Sequence, residues 1–143
     1  MSTLAEIVGV ELGPTSWIDV PQRRIDTFAE ATDDPQWIHV DPARAADGPF
    51  GTTIAHGFLT LSLCVPMLYE LFPPTGKPAR QLRRRPRPVP CTGPVGEPRA
   101  GRFRVLSVDS EAGRGRAKIE ATAECDAVEK PVCVAELVVL TLS

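Results

Sequence analysis

The chain has 143 residues, of which 43% are apolar and 24% charged, with a formal net charge of −2. That length suits one domain around one core, spanning 1–143, and the near balance of charge excludes a general attraction to nucleic acid or to an anionic membrane. No apolar run reaches the length of a membrane span and the N-terminus lacks the basic flank of a secretion signal. The cysteines (Cys64, Cys91, Cys125, Cys133) are scattered without zinc spacing and read as reduced thiols of a cytoplasmic protein.

Residues 5–12 alternate weakly and predict a first strand before the Gly13-Pro14 turn. Pro21 suits a helix start, and Ile25, Phe28, Ala29 and Thr32 recur at helical spacing, which predicts an amphipathic helix over 21–32. The stretch 33–53, rich in Asp, Pro and Gly, is too long for a simple connector, and such loops tend to carry function. Within it Asp41-Pro42 reads as the cap and first proline of a brief helix over Ala43 to Ala46. From Ala55 to Phe72 the apolar residues run almost all the way round, so this helix is expected to be buried, with a disturbance at Pro66 and a stop at Pro73-Pro74. The C-terminal part predicts strands. One begins at Phe103, Val105 and Val108; Asp109 to Gly115 is a turn; Ala117, Ile119, Ala121, Ala123 and Cys125 alternate with polar residues; and Val132 to Leu142 is apolar on both faces. One buried helix with antiparallel strands gives an α+β fold, a curved sheet wrapped around a central helix.

Residues 81–101 do not fit this pattern. Five prolines among arginines argue against a regular strand or helix there. Back-translated with GC-rich codons and read one base later, the segment becomes NYGVDRVRFPAPVPSGSRVRG. That peptide has strand character and continues the period-2 alternation into Phe103 and Val105. The expectation for this stretch is a pair of compensating single-base shifts, near residues 80 and 101.

Two runs carry chemistry: Ala-Thr-Asp-Asp-Pro-Gln-Trp-Ile-His-Val-Asp over 31–41, and Ile-Ala-His-Gly-Phe-Leu-Thr-Leu-Ser over 54–62. Asp34 and His39 are candidates for an acid/base pair sharing one water, because hydration of an activated double bond needs a proton taken from water and another delivered to carbon. Gly57, at the predicted helix start, offers a backbone N–H to an oxyanion, favoured there by unpaired amides and the helix dipole, and a glycine admits close approach. Other residues read more plainly: Asp41 as a cap, Trp37 as packing over the loop, and His56 as packing or capping the helix.

These runs resemble the hydratase motif of MaoC-like, R-specific enoyl-CoA hydratases: an Asp, a His five positions on, then Ala-His-Gly at the central helix. The resemblance covers roughly residues 15–80 and 102–142, and the alternate-frame peptide resembles the family's strand at that point. It implies a hot-dog fold, acyl-CoA thioester substrates, a homodimer, and a hydro-lyase with no metal and no cofactor beyond the CoA of its substrate. It further implies that Asp34 and His39 are catalytic, that Gly57 binds the thioester oxygen and that Ser62 hydrogen-bonds the pair. The chain departs from the pattern at Asp33, where the family often has Gly, and at Gln36-Trp37, where it has Asn-Pro. The rival expectations are a hot-dog acyl-CoA thioesterase and a non-catalytic acyl-CoA-binding or scaffold subunit.

Overall fold

A computed structural model describes residues 4–73, 79–86, 93–111 and 114–142; for 79–86, 111, 114, 141 and 142 it describes the backbone alone. The N-terminal segment is less regular than its alternation suggests. Leu4–Ile7 winds into a 3-10 turn and strand β1 keeps only Glu11–Leu12. Gly9, at φ 84°, turns the chain between them, while its N–H still reaches the Val105 carbonyl at 2.9 Å.

Helix α1 spans Gln22–Thr32, with Pro21 as its extended N-cap, and buries Ile25 and Ala29. The following segment holds a helix that the sequence did not suggest, α2 (Trp37–Val40), and one that it did, α3 (Pro42–Ala46). The Asp41 carboxylate accepts the Arg44 N–H at 3.0 Å, the expected cap. Trp37 packs on the loop: the Arg44 guanidinium lies 4.5 Å from its ring, and Gly48 is so close that an added Cβ would meet that ring at 3.0 Å.

Helix α4 (Gly57–Leu71) places Leu59, Leu61, Cys64, Met67 and Leu68 in the core. It is not buried all round, as its composition predicts: Phe58, Pro66, Tyr69 and Glu70 are exposed. One apolar face lies against the sheet, and Leu59 packs with Ile25 of α1. Glu70 is held at that surface by the Ser16 N–H at 2.9 Å. Pro66 lies inside the helix and offers no N–H to the carbonyl of Ser62.

The sheet comprises β1, β2 (Ala79–Pro86), β3 (Arg99–Glu111), β4 (Arg114–Cys125) and β5 (Val128–Leu142), ordered β1-β3-β4-β5-β2 with antiparallel pairings. Helix α4 lies across β3, β4 and β5. In β4 the odd positions from Ala117 to Cys125 are buried, as their alternation predicts. Val105, Ile119 and Leu137 stand side by side in register and are buried beneath the helix. Each such side chain contributes about 1.5–3 kcal/mol through removal from water.

Strand β3 begins at Arg99, earlier than expected, and with β4 extends into the stretch read as a turn; 112–113 lie outside the described residues. Residues 79–86 form a strand despite the prolines. Pro86 is its last residue, and β2 is an edge strand paired with β5 on one side, a place where proline is tolerated. The rest of the arginine- and proline-rich stretch up to 92 lies outside the described residues. No helix among the described residues is long and apolar enough to cross a membrane.

Candidate active site

The turn that ends α1 aims the first candidate residue. Asp33 takes the left-handed conformation, φ 54°, and the N–H groups of Asp33 and Asp34 both reach the Ala29 carbonyl. Glycine adopts that backbone at no steric cost and aspartate tolerates it. Asp34 is left with its side chain 56% exposed.

Five residues on, α2 carries His39 inward to 7% exposure. Its Nδ1 lies 2.7 Å from the carbonyl of Ile54. A carbonyl only accepts, so Nδ1 carries the proton and Nε2 presents a lone pair. Burial lowers the His39 pKa below the ordinary 6.5; the Ile54 hydrogen bond and the Asp34 charge raise it in part, and neighbouring His56 lowers it further. The ring is therefore neutral at neutral pH and can accept a proton.

Two side chains outside the motif fix this histidine. Gln22, at the start of α1, donates to the His39 carbonyl at 2.7 Å and to Asp26 at 2.8 Å, and its Oε1 accepts from the buried Thr53 hydroxyl at 2.6 Å. The Ile54 N–H in turn donates to the Ile38 carbonyl at 3.0 Å. Sequence reasoning missed both Gln22 and Thr53. A polar residue in the first turn of an amphipathic helix, and a threonine before the second motif run, carry no signal of their own.

His56 immediately precedes α4. It packs but does not cap, since its side chain makes no hydrogen bond to the helix N-terminus. Its Nε2 donates to the Asp34 carbonyl at 3.0 Å and lies 3.8 Å from the Asp34 carboxylate. Its ring stacks on His39 with centroids 3.8 Å apart and planes at 24°. One ligand-type atom from each of Asp34, His39 and His56 falls within 4.8 Å of the others. Two imidazoles and a carboxylate are also the kind of set a divalent metal takes. Of this set, His56 Nε2 is engaged by the Asp34 carbonyl.

Gly57 is the first residue of α4, so its amide belongs to the turn that lacks intrahelical acceptors. It lies next in the chain to the stacked pair. Ser62 is half-buried further along the helix, and among the described residues no hydrogen bond joins it to Asp34 or His39. Beside the pair, an open groove of about 640 Å³ is lined by Arg23, Arg24, Thr27, Phe28 and Ala31 of α1 and by Leu59 and Leu63 of α4. Phe28 links groove and pair, its ring 5.0 Å from that of His56.

Comparison with known proteins places the fold and the family. The family model described as MaoC like domain matches residues 4–129. The 3-hydroxyacyl-thioester dehydratase Z of Mycobacterium tuberculosis is 40% identical over 144 residues, covering 97% of this chain and 93% of that protein. Among solved structures, the (R)-hydratase of A. caviae involved in PHA biosynthesis superposes with a TM-score of 0.76 at 21% identity, covering 95% of this chain and 96% of that one. A MaoC-like dehydratase from Rhodospirillum rubrum does so with 0.77 at 19%, covering 94% and 92%. These structural likenesses establish the hot-dog fold.

Proposed function

The chain belongs to the MaoC-like dehydratase family, and on that premise we propose that it hydrates trans-2-enoyl-CoA to R-3-hydroxyacyl-CoA and catalyses the reverse dehydration. The observation that carries the reading is the pairing of a buried, neutral imidazole, its Nδ1 committed to the Ile54 carbonyl, with the Asp34 carboxylate within 4.8 Å. A water held between the two loses a proton to the pair as its oxygen bonds C3. The π electrons move onto the thioester oxygen as an enolate, for which the Gly57 N–H is the donor. That enolate collapses as C2 takes a proton from the pair. The reaction needs no external electron acceptor or donor. The apolar side of the groove, Phe28, Ala31, Leu59 and Leu63, suits the acyl chain. Met67, at 1% exposure, belongs to the core instead.

We further propose a homodimer as the working form. Phe58, next to Gly57, is 71% exposed and Phe50 54%, apolar surface of the kind that a second copy covers. Light scattering during gel filtration measures this directly.

The functional experiment is incubation of the purified chain with crotonyl-CoA. Loss of enoyl absorbance without release of free thiol is expected. Thiol release would identify a thioesterase, and neither change would identify a binding or scaffold subunit.

A further inference from the structure

His56 belongs to the second motif run but makes no covalent or proton-transfer demand in the reaction above. Its surroundings are nonetheless the most constrained at the site. The side chain is 3% exposed and lies between two rings, Phe28 from α1 at 5.0 Å and His39 from α2 at 3.8 Å. One nitrogen donates to the backbone carbonyl of Asp34, while the other, Nδ1, is buried without a partner.

A buried polar atom without a partner costs about 1–3 kcal/mol. A leucine or phenylalanine would fill the space without that cost, so the imidazole's gain has to come from the bond that it does make. That bond holds the peptide carrying Asp34, at the end of the left-handed turn, to the same ring on which His39 stacks. No other hydrogen bond among the described residues connects the loop after α1 to the start of α4 at this point.

Resting on the hydratase reading, we propose that His56 is a positioning residue that sets the separation of the Asp34 carboxylate and the His39 ring by bonding the backbone of one and stacking on the other. The unpartnered Nδ1 follows from this role. The tautomer that donates to a carbonyl through Nε2 leaves Nδ1 bare. The titratable groups facing His39 are Asp34, from the loop after α1, and His56, from the start of α4; the 53–55 segment presents the Ile54 carbonyl.

The test compares wild type, His56→Gln and His56→Leu in steady-state hydration of crotonyl-CoA across pH, with thermal melting of each. Glutamine keeps an N–H donor for the Asp34 carbonyl; leucine keeps only bulk. His56→Leu is expected to lose about 10–100-fold in kcat with KM changed less than about threefold, and His56→Gln to return to within about threefold of wild type. A leucine variant as active as wild type overturns the inference, as does a glutamine variant no better than leucine. If wild type itself leaves crotonyl-CoA unchanged, the hydratase reading falls and this role with it; an active wild type with indifferent variants defeats the positioning role alone.

Discussion

The site and the β2 edge of the sheet are built to different standards. Around Asp34 and His39 most polar groups are tied by specific bonds, the His56 Nδ1 excepted: Gln22 satisfies Thr53 and the His39 backbone at once, Ile54 fixes the His39 tautomer, and His56 ties down Asp34. At the β2 edge the described pairing is one of backbone register with β5. The buried row Val105, Ile119, Leu137 continues into β2 at Arg84, and the row Phe103, Ala121, Ala135 continues at Pro86. Antiparallel partners share a face of the sheet. The edge strand therefore puts an arginine and a proline at positions in line with the core. The difference shows that backbone pairing with β5 tolerates residues that a packed interior would not choose, whereas a site built from buried polar atoms requires each partner by identity.

The largest effects should come from the matched region. Asp34→Asn and His39→Ala are each expected to lower kcat by about 10²–10⁴ with circular dichroism unchanged. Collapse of the spectrum in both would instead make the two residues part of the scaffold and erase the contrast. Next comes Gln22→Leu, which leaves the Thr53 hydroxyl and the His39 carbonyl without their partner. A loss of about 1–3 kcal/mol in denaturant unfolding and of roughly tenfold in kcat is expected; a loss of stability with full activity would separate the clamp from catalysis.

At the edge, replacing residues 81–101 by NYGVDRVRFPAPVPSGSRVRG puts valine opposite Leu137 in place of Arg84. Melting temperature should rise by about 2–4 °C per kcal/mol recovered. Equal melting of the two chains would mean that the edge is not a weak point, and an unambiguous nucleotide read through the segment would end the case for a shifted frame.

Protonation gives a smaller, graded effect. The folded-state pKa of His39 is lowered, so the unfolded chain binds its proton first as pH falls. The His39 contribution to stability is thus complete above about 6.5 and declines as pH drops below it. Urea unfolding between pH 5 and 8 should lose this slope in His39→Ala. The smallest effect is expected from Asp33→Gly, which removes a left-handed aspartate at φ 54°. It should change stability by no more than about 1 kcal/mol, because relieved backbone strain is offset by glycine's greater freedom when unfolded.

The chain sequence by itself determined the central helix, the Asp41 cap, the alternation of β4 and the spacing of the proposed acid/base pair. Each of these is local: a periodicity, a cap or a fixed spacing is written within a dozen residues, and Asp34 and His39 are joined by one short turn and helix. The tertiary structure decided what depends on chain segments far apart. It turned one face of α4 to solvent, made an edge strand of an arginine-rich segment because β5 offered free backbone groups, and brought Gln22, Thr53 and Ile54 to the histidine. It also gave His56 its place between Phe28 and His39, which no spacing in the sequence encodes, because those contacts exist only once α1, α2 and α4 have packed.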